Sequence, residues 1–482
     1  MTATESETIS KRFLPDQRTI WRWHFYAGLF CIPFVMWLSV TGGIYLFKPQ
    51  IEAWMDRPYD GLIAAGQTTA RPEAQVKAAL AAVPGSNLHF YELPRHAGGA
   101  AQIVVGKGEE EFRVYVHPVT TAVLKVDNED DRLMIRIFHL HGELMAGDRG
   151  SLLVELAASW AIVMILTGLA LWWPAKTDRL AGVLYPRLNR SGRVFWRDLH
   201  SVTGLWVSFF ALFLLFTGLP WAKSWGNYLK KIRGAISSTA IGQDWTTGRS
   251  SELAQRAARN NGGMGGSMDS MPGHEQHTAA AKPRFGKKAR MRSGVPGPDE
   301  YIALDTILPA VLPLHLEYPA QISPPTKAGG PWTAKSDSQD RTVRDSYTLA
   351  ASSGAILKHE TFQDRPLGDR IISIGISAHE GHLFGWFNQL LGLFTAASLF
   401  LLAVSSVVMW WRRRPVGLLG APLPPANPYL SKAFLFLVFL TAIYLPLLGV
   451  SILLVAVAER LLLRRIPGVA IWLGLRRATP AT

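Results

Sequence analysis

Five runs without a charged residue, 25–47, 156–175, 201–222, 383–411 and 433–458, constrain this chain more than any other feature. Each reaches or exceeds the ~20 residues an α-helix needs to cross a hydrocarbon core of ~30 Å. Lipid offers no water to backbone N–H and C=O groups, so such runs are expected to fold as spanning helices. A content of 48% hydrophobic and 18% charged residues with 17 Trp is more apolar than a soluble domain and agrees. The first run follows Lys11, Arg12, Arg18 and Arg22 as a signal peptide would. It is longer than an h-region and lacks an A-x-A site, so it reads as a retained anchor.

Lys and Arg in the short connections orient the spans. The N-terminal segment, the 175–199 loop (Lys176, Arg179, Arg187, Arg190, Arg193, Arg197) and Arg412 to Arg414 are all expected on the cytoplasmic side. Much of the +14 net charge is therefore a topology signal, and nucleic acid is not expected as a partner. The sole cysteine, Cys31, excludes disulfides, thiolate-held clusters and covalent C-x-x-C-H haem. No G-x-G-x-x-G turn marks a dinucleotide site, so a redox group would be held non-covalently and fed by an external electron donor.

The spans repeat. Trp21, His24, Gly28-Leu29 and Thr41-Gly42 answer to Trp196, His200, Gly204-Leu205 and Thr217-Gly218, with 17 residues from His to Thr in both. Likewise His141, Gly147 and Trp172-Trp173 answer to His379, Gly385 and Trp410-Trp411, with 32 residues from His to the second Trp. Between the spans, 111–126 and 345–358 alternate like hairpins, and a helix over 72–83 with strands near 87–92 and 101–106 precedes the first. Parallel repeats place equivalent residues at one depth, facing each other across an axis along the membrane normal.

The expected order is a cytoplasmic segment 1–23, span 24–47, extracytoplasmic α+β domain 48–151, span 152–174, cytoplasmic loop 175–199 and span 200–222. A second extracytoplasmic domain, 223–382, holds a disordered Gly/Met/His-rich insert at 250–296. Then come span 383–411, loop 412–432, hydrophobic segment 433–463 and tail 464–482. The last segment is too short to cross twice. A single crossing would strand Arg460, Arg464 and Arg465 outside, and Pro446 permits a kinked or re-entrant path, so the side of the C-terminus stays open.

Four histidines at duplicated membrane depths, His24 with His200 and His141 with His379, suit two b-type haems, each iron between two neutral imidazoles. A single His near a helix end is more often a satisfied polar residue, but ionisable groups at membrane depth are costly and tend to be functional. Gly28 and Gly204, one turn after His24 and His200, leave room for a flat macrocycle. His139 and His382 are ligand alternatives or hydrogen-bonding neighbours.

From about Trp21 to Arg414 the chain resembles the PepSY-associated transmembrane family, which includes iron-regulated inner-membrane proteins and haem-containing siderophore reductases. The His-x-x-x-Gly-Leu starts at His24 and His200, the outer motifs at Leu140-His141 and Ala378-His379-Glu380-Gly381, the Trp-Trp ends and the hairpins Tyr115–Leu124 and Tyr347–Ile356 carry the likeness. Two departures stand out: the first outer motif reads His-Gly-Glu-Leu-Met-Ala-Gly, and the insert is unusual for the family.

The resemblance implies an α-helical integral protein of a bacterial inner membrane, a four-helix haem-binding core with a C-terminal hydrophobic segment and two PepSY-like domains. It also implies electron transfer, from a cytoplasmic reductase or quinol, to a ferric siderophore or other periplasmic metal complex. Reduction to Fe(II) weakens hard oxygen ligation and releases the metal. Met264, Met268, Met271, His274 and His277 carry donors that suit copper, so a copper(II)-handling reductase is one alternative. A membrane-tethered PepSY peptidase regulator is another.

Overall fold

The computed structural model describes residues 14–173, 180–236, 245–260, 298–325, 329–425 and 429–476. Its principal helices begin with α1 (Gln17–Tyr45), α2 (Lys48–Asp56), α3 (Pro72–Ala82), α4 (Leu133–Glu143), α5 (Gly147–Trp172), α6 (Gly192–Gly218) and α7 (Lys223–Ile236). They continue with α8 (Arg249–Asn260), α9 (Leu304–Val311), α10 (Leu367–His379), α11 (Trp386–Arg413), α12 (Lys432–Tyr444), α13 (Pro446–Ala458) and α14 (Pro467–Trp472). The strands are β1 (Asn87–Glu92), β2 (Ala101–Lys107), β3 (Glu110–Val116), β4 (Val123–Asn128), β5 (Ala320–Ser323), β6 (Trp332–Ser336), β7 (Ser346–Leu349) and β8 (Ile356–Glu360). Two compact units result: residues 1–46, 140–228 and 389–482 form one, and 47–139 and 229–388 the other.

The first unit is helical and makes this a multi-pass membrane protein. Among the described residues, five helices are long and apolar enough to cross a membrane: Gln17–Tyr45, Gly147–Trp172, Gly192–Trp221, Trp386–Arg413 and Pro446–Leu463. Asp16 caps α1 by accepting from Thr19 N at 3.0 Å. Gly147, which opens α5, has φ +58°, and so does its repeat counterpart Gly385 just before α11. Both stand in the left-handed region that a side chain would strain.

The hydrophobic segment 433–463 divides in two. The ring of Pro446 pushes Leu445 out of the helical region (φ −117°, ψ 79°), so α12 stops at Tyr444 and α13 starts anew. With 13 residues, α12 covers about 20 Å, short of a crossing. Phe434, near its start, stacks on Trp23 with ring centres 5.7 Å apart. After α13 the chain returns to the same end, where Arg22 donates to Gly474 O at 3.0 Å and to Pro422 O, and Tyr26 donates to Leu473 O. The segment is therefore a hairpin that leaves the bundle where it entered. Arg460, Arg464 and Arg465 return with it to the end that carries Arg22, so the conflict with the charge rule disappears.

The second unit is built on one eight-stranded antiparallel sheet in the order β4-β3-β2-β1-β5-β6-β7-β8. Two separate domains were expected; instead their two four-stranded halves join where Tyr91 pairs with Ile322 and Glu92 with Gln321. The junction satisfies the backbone groups of what would otherwise be two open edges. One core serves both halves: Val76, Ala79 and Val83 around α3 and Leu304, Ile307 and Val311 of α9 pack over Ile103, Val114, Ile322 and Ala334.

The two hairpins superpose with their tyrosines one residue out of step. The register irregularities fall between Tyr115 and Val116 and between Thr348 and Leu349, so Tyr115 answers to Thr348 rather than to Tyr347. A one-residue slip turns a side chain to the other face. Accordingly Tyr347 packs against the core, whereas Tyr115 donates to Asp56 at 2.9 Å.

The insert expected to be disordered from residue 250 opens with α8, which ion pairs hold in place. Arg256 meets Glu111 at 3.1 Å and Asp130 at 3.0 Å, and Arg259 meets Glu111 at 3.1 Å. Residues 261–296 of that insert lie outside the described residues.

Candidate histidine centre

In the helical unit His24 of α1 meets α5. Its Nδ1 lies 3.0 Å from Met164 O and 3.3 Å from Thr167 Oγ1. A carbonyl only accepts, so Nδ1 carries the proton and donates. The Thr167 hydroxyl is itself spent on Val163 O at 2.8 Å, which turns its oxygen towards the ring as an acceptor. Nε2 is left with its lone pair, the form that binds a metal. Beneath the ring lies Gly168, where a Cβ would stand 3.0 Å from His24 Cε1.

His200 of α6 is held by the same device. Its Nδ1 lies 3.1 Å from Ser405 Oγ and 3.2 Å from Ser406 Oγ, both on α11. Each serine donates to Leu402 O at 2.8 Å and so accepts from the imidazole. The rings of His24 and His200 stand 6.3 Å apart, centre to centre, at 77°. Two imidazoles sharing one metal, each nitrogen about 2 Å from it and each ring centre about 1 Å further, stand about 6 Å apart.

His141 completes a third example. Its Nδ1 lies 3.0 Å from Thr41 Oγ1, and that hydroxyl donates to Trp37 O at 3.0 Å. A Cβ on Gly42 would stand 2.9 Å from His141 Cε1. In each case a hydroxyl that donates to a carbonyl one turn back in its own helix orients an imidazole from a neighbouring helix and fixes its tautomer.

The repeat extends to these supports. An offset of 238 residues carries Met164, Thr167 and Gly168 onto Leu402, Ser405 and Ser406, as it carries His141 onto His379. Gly28 and Gly204 match as well: a Cβ at either would find only one neighbour within 4 Å, Met164 Sδ or Leu402 Cδ2, each at 3.8 Å. Space remains on the histidine face of both helices.

The other expected residues lie elsewhere. His139 is buried in the sheet unit, where its Nε2 accepts from Arg249 at 3.0 Å, so that lone pair is engaged. Its counterpart at the same offset is Ser377, not a histidine. Asp130, His139 and Glu252 bring ligand-type atoms within 4.8 Å of one another. The Arg249 guanidinium lies among them, against Asp130 and 2.9 Å from Glu252, which makes the group an ion-pair network. His379 ends α10 in the sheet unit. His382 follows it there, with a buried Nε2 that finds no hydrogen-bond partner among the described residues. Met264, Met268, Met271, His274 and His277 fall outside the described residues.

Sequence reasoning missed Thr41, Thr167, Ser405 and Ser406 as partners of the histidines. A signal existed, since Thr-Gly recurs in the spans at Thr41, Thr167, Thr203 and Thr217. Nothing local says that the hydroxyls at 41 and 167 serve rings 100 and 143 residues away.

No curated protein matches the chain. With the order of spans, the paired histidines and the strand-rich unit now established, the match of residues 21–413 to the family described as the PepSY-associated TM region places this chain in that family.

Proposed function

We propose that the chain is a di-haem b electron carrier of a bacterial inner membrane that reduces ferric siderophore, or another metal complex, on the extracytoplasmic side. The observation that carries this reading is the His24–His200 pair. Two imidazoles on different helices have Nδ1 tied down, Nε2 free and ring centres 6.3 Å apart. Gly168 lets the His24 ring sit close against α5, and the open space at Gly28 and Gly204 fits a flat group on that face. Held between these two imidazoles, a haem would supply one-electron transfer.

The residues of the chain do the rest. Met164 O, Thr167, Ser405 and Ser406 hold the inner imidazoles in the ligating tautomer, and Thr41 does so for His141. The partner of His141 is assigned as His379 from the sequence repeat alone, and the orphaned Nε2 of His382 makes it the residue to test against that assignment. Electrons from quinol or a cytoplasmic reductase would enter at the inner pair and leave at the outer one, converting Fe(III) to Fe(II) in the bound complex.

Pyridine haemochrome analysis should find about two non-covalent haems per chain, because each iron uses two histidines. His24→Ala and His200→Ala should remove the same one, and His141→Ala and His379→Ala the other. His139→Ala should retain both. Loss of the outer haem in His382→Ala but not in His379→Ala would reassign that ligand. Protein purified without haem from haem-replete cells would sink the proposal. Vesicles with reductant sealed inside, offered ferric siderophore or Cu(II) outside, then identify the acceptor. Activity confined to Cu(II) and lost on deleting 261–278 would favour copper at the Met/His segment. Haems that neither acceptor oxidises would favour the regulator.

A further inference from the structure

Helix α10 is amphipathic in the reverse of the usual sense. Its polar Asp369, Ser373 and Ser377 are 7%, 0% and 0% exposed, whereas Leu367, Ile371 and Ile374 are 65%, 60% and 39% exposed. The latter, spaced i, i+4 and i+7, form a single stripe. A helix in water turns its apolar stripe to the core. Here the polar face is the one that is pinned: Arg233 on α7 pairs with Asp369 at 2.5 Å, and Arg341 N donates to Ser377 Oγ at 2.8 Å. Rolling the helix to hide its stripe would break both and bury Asp369 without its cation.

The helix also leads directly into a span. Asn388, in the first turn of α11, donates to Ala378 O at 3.0 Å and accepts from Leu383 N at 3.2 Å. This ties the last turn of α10 to the start of a membrane helix. Phe384 in the link and Trp386 and Phe387 at the start of α11 are 67%, 71% and 59% exposed, an aromatic set of the kind that sits at lipid headgroup level.

We infer that α10 lies in the outer-leaflet interface, its Leu367–Ile371–Ile374 face resting on phospholipid acyl chains. An interfacial helix of this kind sinks its apolar face about 5–10 Å into the boundary between headgroups and acyl chains. The first repeat lacks the feature: the counterpart of Ile374 at the 238-residue offset is Arg136, whose side chain is 54% exposed and paired with Asp131 at 2.7 Å.

The test uses the full chain in phosphatidylcholine/phosphatidylglycerol nanodiscs, with single cysteines labelled by the environment-sensitive fluorophore NBD. Cys31 is buried, and unmodified protein provides the control for its labelling. Ile371→Cys and Ile374→Cys are compared with Leu357→Cys on β8, which is as exposed as Ile371 at 61%. We expect labels at 371 and 374 to emit at shorter wavelength, to be quenched by lipid carrying doxyl high on its acyl chain, and to resist aqueous iodide several-fold better than the label at 357. Labels at 371 and 374 that iodide quenches as fully as the one at 357, and that doxyl lipid leaves untouched, overturn the inference. So does protection from both quenchers, which would mark a protein-covered surface.

Discussion

The two repeats hold His24 and His200 in one tautomer but differ in what surrounds them. His24 has a carbonyl, one hydroxyl and a glycine beneath its ring, whereas His200 has two hydroxyls, Ser406 standing where the first repeat has Gly168. The halves of the sheet diverge further. Arg113, on the first half, is buried against Glu129 at 2.5 Å, Glu92 at 3.0 Å and Gln102 at 2.6 Å. By the strand register its counterpart is Ser346, and those of Glu92 and Gln102 are Ser323 and Thr333. Duplication has preserved the geometry that presents Nε2, while one copy relies on buried charge and steric closeness where the other uses small hydroxyls.

The largest effect expected from that contrast is in the sheet. Arg113→Met leaves the buried Glu92 without its cation and Glu129 with Arg132 alone, and should cost about 3–5 kcal/mol, whereas Ser346→Ala should stay within about 0.5 kcal/mol. Urea unfolding followed by hydrogen exchange in β3 and β7 measures both. Equal losses would show that the charged half is no more dependent on its ions than the neutral one.

Acid should expose the same asymmetry. Burial pushes the Glu129 carboxyl up, but Arg113 and Arg132 outweigh it and hold the group at about 2, below its ordinary 4.5. The folded value is the lower one, so this stabilisation is complete above about pH 4.5 and is lost as pH falls towards 2. Its size is about 3 kcal/mol. Exchange protection, corrected for intrinsic rates, should fall in β3 and β4 across that range before it falls in β6 and β7, and Glu129→Gln should flatten the difference.

Next come the cradles. Gly168→Ala would bring a Cβ to 3.0 Å from His24 Cε1 and must displace the ring or α5. Overpacking of this kind costs about 1–3 kcal/mol. Ser406→Ala removes a hydroxyl that Ser405 duplicates, so under the proposed di-haem function haem content and low-spin spectrum should change in the first variant and hold in the second.

The smallest effect concerns the single hydroxyls. Thr167→Val leaves His24 only the Met164 carbonyl, and Ser405→Ala leaves His200 only Ser406. Each loss is about 1 kcal/mol, or about 40 mV for one electron if it weighs on a single oxidation state. Redox titration should show a shift of that order with Thr167→Val and recovery with Thr167→Ser. An unchanged potential would mean that the carbonyl alone orients the ring.

The spanning helices can be read from composition alone, because lipid leaves an apolar run of ~20 residues no other way to satisfy its backbone. The sequence also marked the duplicated histidines, since a fixed spacing on a helix is a fixed face and depth. Strands β3, β4, β7 and β8 were legible through alternation over a few residues, a local property. Long-range packing settles which hydroxyl meets which ring, that two predicted domains share one sheet, and that the segment broken at Pro446 turns back. It also separated His139, committed to Arg249, from His141, and turned the apolar stripe of α10 away from the protein. These outcomes depend on partners far away in sequence, and periodicity within one element records that it has a face, not what the face will meet.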